Sequence, residues 1–477
     1  MIKPMISRQR ALAGCLLAIP LLAQAAQYPP QAMPSDLWRV YLDARHNNSE
    51  LAAAHADQAA RAEAVPQARA GLLPTLSASA DLNATSTSLQ QPRQDTRRSG
   101  TSYQAVLNQP IFRADRWFTL KAAEAEDQQS QLELAAAEQK LMLDSALAYF
   151  GLLKAQDAQA AAKAEEAALK RQLEVAEKGL QLGLSDRTDV LQAQAGHDTA
   201  RANRIVAQKQ TDDAFEALDT LTHQQYQAIQ GLRHDMPVLL PEPNDARRWV
   251  DTAVRQNLTL LASQQALEAT QQTLSARKAG HAPTLDAVLR YQSGDNDTQG
   301  YGNSDIRGNG YGGNVEQRTV GLQLNIPLFS GGQTRSQVRE AHQRMNQREY
   351  LNDGLRRQVV EQTRNLYRGL NSGVDQVHAR RQSIISNQGA VLASQMGFQV
   401  GTRNIVDVLE AQRQLYNAVR QYNNSRYDYI LDTLRLKQSV GTLSPQDLKA
   451  LCDYLKADYD PDLDFLPPEF PRRLAKR

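Results

Sequence analysis

The sequence predicts a mainly α-helical chain with a smaller β portion, laid down twice by an internal duplication. Three observations carry this reading. First, phrases recur at a nearly constant offset. Asn48 and Leu51 answer Asn257 and Leu260, and Pro74-Thr75-Leu76 recurs as Pro283-Thr284-Leu285, all 209 residues on. Leu107-Asn108-Gln109-Pro110-Ile111-Phe112 recurs as Leu324-Asn325-Ile326-Pro327-Leu328-Phe329 at 217, and Thr188-Asp189-Val190-Leu191 answers Val406-Asp407-Val408-Leu409 at 218. The extra length of the second copy therefore lies after Pro283, and repeats are read first because they impose symmetry on the fold. Second, each copy holds two stretches of strict apolar–polar alternation. Third, no proline occurs from Ile111 to Met236 or from Leu328 to Ser444, and both tracts are rich in Ala, Gln, Glu, Lys, Arg and Leu, all good helix formers.

Taken in chain order, the N-terminus reads as a secretory signal peptide over residues 1–25. Lys3, Arg8 and Arg10 form a basic lead, Ala11 to Leu22 an apolar core, and Ala23-Gln24-Ala25 a small-residue cleavage site. Leu12-Ala13-Gly14-Cys15 also matches the box before a lipidated cysteine, but such signals place their apolar core ahead of the cysteine and here most of it follows. With that segment removed, Cys452 is the remaining cysteine, so no internal disulfide is expected in the mature chain. A helix of about 40 residues is expected before Pro74, roughly 60 Å long.

Strands follow. Leu76, Ala78, Ala80, Leu82 and Ala84 alternate with Ser77, Ser79, Asp81, Asn83 and Thr85, and Val320, Leu322, Leu324, Ile326 and Leu328 alternate with polar residues or glycine. Weaker versions run through Tyr103, Ala105 and Leu107 and through Leu285, Ala287, Leu289 and Tyr291. Period two with one apolar face fits barrel strands between lipid and water, and equally a sheet with one solvated face. Four strands cannot close a barrel, which takes about eight. They form an open sheet, or several chains share one barrel. Polar segments link each pair of strands, and the second, Ser293 to Glu316, reads as a surface loop. Its Gly308-x-Gly310-x-x-Gly313 lacks the preceding strand and following helix that a dinucleotide site needs. A helix from about Ala114 to Lys178 would run roughly 100 Å, and another of about 40 residues should follow Asp189. The apolar stripe Ile405, Val408, Leu415, Val419 and Tyr422 is a narrow coiled-coil seam.

The final third carries a family resemblance. Val400-Gly401-Thr402-Arg403-Asn404-Ile405-Val406-Asp407-Val408-Leu409-Glu410-Ala411, with Leu415-Tyr416-Asn417-Ala418, Arg426-Tyr427-Asp428-Tyr429 and Gly441-Thr442-Leu443, resembles TolC-type outer-membrane efflux and secretion channels. The resemblance implies a homotrimer: a trimeric 12-stranded outer-membrane β-barrel, four strands per chain, continuing into a long periplasmic α-helical barrel. It divides the chain into the signal peptide (1–25), repeat one (26–236), an inter-repeat linker in an equatorial belt (237–248), repeat two (249–440) and a C-terminal equatorial segment (441–477). It implies outer-membrane lipid around the barrel. Its partners would be a periplasmic adaptor (membrane fusion protein) and an inner-membrane pump of ABC or RND type. It also assigns residues: Asp189, Arg403 and Phe398 to a periplasmic gate, and Asp407 with Glu410, three apart on one helix face, to a selectivity ring at the tunnel entrance. Phe398 stands where the family pattern has tyrosine, and Glu410 where it has aspartate.

Other classes fit poorly. The formal net charge is +2 with no basic stripe, against nucleic acid as a partner. Mean hydropathy is −0.55 and no later segment is apolar enough for a membrane helix. Eight scattered histidines form no metal spacing, and H-E-x-x-H and G-x-S-x-G are both missing. No enzyme activity, metal or cofactor is expected. A periplasmic coiled-coil adaptor would explain the helices but leave the strands idle. A structural or adhesive surface protein would explain export but not the duplication.

Overall fold

The computed structural model describes residues 34–90, 93–183, 185–295 and 314–468. The signal-peptide reading and the glycine-rich loop around Gly308 fall outside these residues. Repeat one contains α1 (Leu37–Asn47), α2 (Ser49–Ala62), α3 (Ala64–Ala70), β1 (Thr75–Gln90), β2 (Arg93–Phe112), α4 (Ala114–Gln181) and α5 (Arg187–Thr222). A short strand, β3 (Gly231–Leu232), leads towards the second repeat. That repeat has α6 (Ala246–Gln256), α7 (Leu258–Ala279), β4 (Thr284–Asp295), β5 (Asn314–Asn325), α8 (Gln333–Gln399) and α9 (Ile405–Ser439). The chain ends in α10 (Pro445–Cys452), β6 (Leu455–Lys456) and α11 (Pro461–Asp464).

The duplication is therefore structural as well as sequential. The long helices α4 and α8 have 68 and 67 residues, and α5 and α9 have 36 and 35. Both long helices begin at a proline-free tract and run about 100 Å.

The segment before Pro74 departs from expectation. It is three helices, broken at Asn48 and Glu63. Asn48 sits at ψ 120°, and its side chain caps α2 by accepting from the Leu51 N–H at 2.9 Å. Its amide also donates to the Leu221 carbonyl at the end of α5. Asn257 does the same in repeat two, capping α7 at Leu260 and donating to the Ser439 carbonyl at the end of α9. The repeated Asn-x-x-Leu phrase is thus a helix break that ties the short upper helices to the lower ones. Loss of such a cap costs about 1 kcal/mol. Asn257→Ala should accordingly lower the thermal midpoint by a few degrees, and an unchanged melting curve would show that the tie contributes nothing.

The four long strands make one antiparallel sheet in the order β1-β2-β4-β5, leaving β1 and β5 as edges. The polar link after Thr85 is largely strand. Residues 75–90 and 93–112 pair in unbroken register from Thr75–Asn108 to Gln90–Arg93. Ser293–Asp295 and Asn314–Glu316 likewise belong to β4 and β5. Threonine and serine suit a pleated surface as well as a turn, and the cross-strand ladder decides between them. The alternating apolar residues lie bare: Leu82 is 81 % exposed and Val320 79 %. Where strand meets helix, Arg113 grips the buried Asp286 through two hydrogen bonds of 3.0 and 2.7 Å, so β4 is fixed to the top of α4.

The largest core lies midway along the long helices. Leu37, Val40, Tyr41, Tyr149, Phe150, Leu152, Leu153, Leu218, Leu232, Tyr427, Leu448 and Leu455 pack together there. The small β3–β6 sheet, α1 and α10 build it, in a belt around α4 and α9. In the following segment Trp249 donates to the Pro243 carbonyl, and the Tyr367 hydroxyl bonds Asn244.

Candidate functional site

The end of the helical region farthest from the sheet is made of two equivalent turns. α4 ends at Gln181 and passes through Gly183 at φ +73°; α8 ends at Gln399 and passes through Gly401 at φ +75°. That left-handed conformation favours glycine. Each turn re-enters a helix through a capping box. Asp186 accepts from the Asp189 N–H at 2.8 Å while the Asp189 carboxylate accepts from the Asp186 N–H. Asn404 and Asp407 repeat this pair at 2.9 and 3.3 Å.

The gate residues take unequal places in this geometry. Asp189 is half-buried in the first turn of α5, with one carboxylate oxygen in its capping box. Arg403 is exposed in the second turn. Its N–H bonds the Gly397 carbonyl at 3.2 Å and its stem lies so close to Gly397 that an added Cβ would meet its Cγ at 2.6 Å. Among the described residues its guanidinium has no carboxylate partner, so Asp189 and Arg403 are not paired within one protomer. Phe398 is half-buried and packs on Leu169, Ala200, Ile405 and Leu409, in place of any hydrogen bond a tyrosine would bring. Of the three residues assigned to the gate, Phe398 packs on this apolar cluster, whereas Asp189 neighbours Val190 of a separate one.

The two ring residues share the first turns of α9, whose other face buries Ile405, Val408 and Leu409. Asp407 is half-buried and Glu410 exposed. Glu410 carries two neighbours that the sequence reading missed: Arg413 at 3.4 Å and Gln414 at 3.2 Å. Arg413 stands three residues on, a spacing that could have flagged it.

A second polar cluster, in the belt, was also missed. Asp157 of α4 is buried and accepts hydrogen bonds from the hydroxyls of Tyr427, at 2.9 Å, and Tyr459. Arg426 donates to His234 at 3.1 Å and to the Arg233 carbonyl, and His234 bonds the Asp464 carbonyl at 2.8 Å. Burial pushes the Asp157 carboxyl up to about 6, opposed by the tyrosine hydroxyls and Arg426. Burial and then the Arg426 charge push His234 down to about 4.

These shifts give opposite pH slopes. Asp157 holds its proton more tightly folded than unfolded, so its contribution is complete below about 3.8 and lost as pH rises through about 6. His234 is harder to protonate folded, so stability falls as pH drops from about 6.5 towards 4. Asp157→Asn leaves the His234 slope alone, and the variant should lose more thermal stability than wild type between about pH 7 and pH 5. Equal losses would exclude titration of Asp157 in that window.

Among the described residues no group of side chains could hold a metal ion, and no helix is long and apolar enough to cross a membrane. The fold coincides with that of known proteins. The family model for outer membrane efflux proteins matches residues 40–223 and 249–442, one match per repeat. The chain belongs to the outer membrane efflux protein family. Outer membrane protein TolC of Vibrio cholerae is 33 % identical over 87 % of this chain and 92 % of its own length. Alkaline protease secretion protein AprF of Pseudomonas aeruginosa is 28 % identical over 72 % of this chain and 70 % of its own. The crystal structure of the Vibrio cholerae outer membrane protein VceC superposes with a TM-score of 0.74 at 18 % identity, covering 85 % of this chain and 96 % of that one. As an outer membrane efflux protein the chain is an exit channel of a Gram-negative outer membrane with a periplasmic extension, not an enzyme.

Proposed function

We propose that three copies of this chain close one twelve-stranded barrel in the outer membrane, and that the helices continue it as a tunnel through the periplasm. An adaptor and an inner-membrane pump of ABC or RND type would feed it with proteins for secretion, small toxic compounds, or both. The observation that carries this reading is the open sheet. Its edges β1 and β5 are unpaired and its apolar residues are bare in the single chain. Lipid tolerates neither unpaired strand edges nor an incomplete barrel. Two copies would supply eight strands, and a barrel of about eight is just wide enough for its own side chains to fill. Three copies leave a lumen.

The relatives support both cargo classes, since one is named for protease secretion and the family for efflux. In this reading the two tip turns form the gate through Asp189, Arg403 and Phe398, and Asp407 with Glu410 form the entrance ring. Residues 1–25 are the signal peptide, and 237–248 with 441–477 complete the belt between repeats 26–236 and 249–440. A strain lacking the gene tests the reading directly. It should lose a secreted protein or become sensitive to detergents and dyes, and retention of both phenotypes would overturn it.

A further inference from the structure

We infer that Asp375 of one copy pairs with Lys209 of the next, and that this contact joins neighbouring copies at the level of the belt. The inference rests on the ring-shaped assembly proposed above and specifies which surfaces close it.

The internal duplication supplies the symmetry. α4 corresponds to α8, and α5 to α9, at an offset of 218 residues along their lower halves. The offset holds at both ends of the shorter helices. The capping boxes at Asp186 and Asn404 match, and so do the left-handed residues His223 (φ +52°) and Gly441 (φ +77°). It holds in the long helices too, where Tyr149-x-Gly151-Leu152 and Asp157 match Tyr367-x-Gly369-Leu370 and Asp375.

Within one protomer the repeats meet through α4 against α7 towards the sheet and, along the lower helices, mainly through α4 against α9. The same operation applied once more lays α8 against α5 of the next copy. Burial agrees. α4 and α9 bury residues over much of their length, whereas α5 and α8, of matching lengths, bury a single sparse row. Leu409 is 7 % exposed and packs between helices, while its counterpart Leu191 on α5 is 60 % exposed. Ile205 and Val206 on α5, and Leu392 and Met396 on α8, are bare as well.

The α4–α9 contact includes a buried hydrogen bond in which Tyr427 donates to Asp157 at 2.9 Å. Its image across the next boundary is Lys209 facing Asp375. The buried hydroxyl–carboxylate bond is thereby replaced by an ammonium–carboxylate pair. Asp375 is exposed and has no partner among the described residues, and Lys209 reaches only the exposed Asp213 one turn on, on its own helix. A second copy of this chain fits the bare face by the repeat symmetry and by charge.

Two experiments on the full-length chain test this. In a Cys452→Ser background, Lys209→Cys with Asp375→Cys should form covalent dimers and trimers on a denaturing gel after copper–phenanthroline oxidation, and either single variant should form none. Native trimers without that cross-link would overturn the pairing and leave the trimer standing. A wild-type protein that runs as a monomer in mild detergent would overturn both. Separately, Asp375→Lys should lower the temperature at which the detergent-resistant trimer dissociates, and adding Lys209→Asp should restore it. Failure of the reversed pair to restore it overturns the inference.

Discussion

Arg403→Ser should raise single-channel conductance by opening the tip. The substitution leaves the turn intact, because the helix start is capped by Asn404 and Asp407 and the Arg403 contribution to the turn is its backbone N–H. What it removes is an exposed guanidinium without an acidic partner among the described residues, beside a turn that in the proposed trimer would face the equivalent turns of other copies. An exposed ion pair is worth about 0–1 kcal/mol, so three around one axis total at most about 3 kcal/mol if they add. That moves a closed–open equilibrium by up to about a hundredfold. Asp189→Ala should act in the same direction, with an added cost from its capping box. Phe398→Ala should loosen the tip by removing packing on Leu169 and Ile405. Bilayer recordings of Arg403→Ser that show wild-type conductance at normal trimer yield would refute the gate.

Asp407→Ala combined with Glu410→Ala should abolish most of the cation preference and weaken block by multivalent cations. Three chains would place six carboxylates at the entrance, and a ring of acidic side chains favours cations. The two do not contribute equally. Glu410 lies beside Arg413, whose charge offsets part of its field, while Asp407 has no ion-pair partner among the described residues and keeps one oxygen outside its capping bond. The single variant Asp407→Ala should therefore cause the larger share of the loss, and Arg413→Ala should strengthen the preference. Reversal potentials in a salt gradient that do not move in the double variant would sink this assignment.

Much of the architecture was legible because it rests on long-range patterns. Absence of proline and steady helix propensity marked α4 to within a few residues and the tract that holds α8 and α9, and period two marked the strands. The offset phrases exposed the duplication. Features decided by tertiary contact were less visible. Asn48 and Asn257 served as repeat markers, but nothing local announced that each would break a helix and reach across to Leu221 or Ser439. The serines and threonines after Thr85 read as a link because their polarity suits turns, and only the register with β2 makes them strand. Asp157 was one acid among many on a charged helix. Its burial depends on Tyr427 and Tyr459, 270 and 302 residues away. At the tip, spacing put Asp407 and Glu410 on one helix face, and the resemblance alone supplied their assignment to a ring and that of the gate residues.

The mass of the detergent-solubilised protein, measured by light scattering alongside circular dichroism, tests the assembly most directly. A single species of three chains, resistant to mild denaturing detergent and conducting in bilayers at that stoichiometry, is the expected result. A monodisperse monomer with full helix content would contradict it, because its strand edges and bare apolar face would then need no partner.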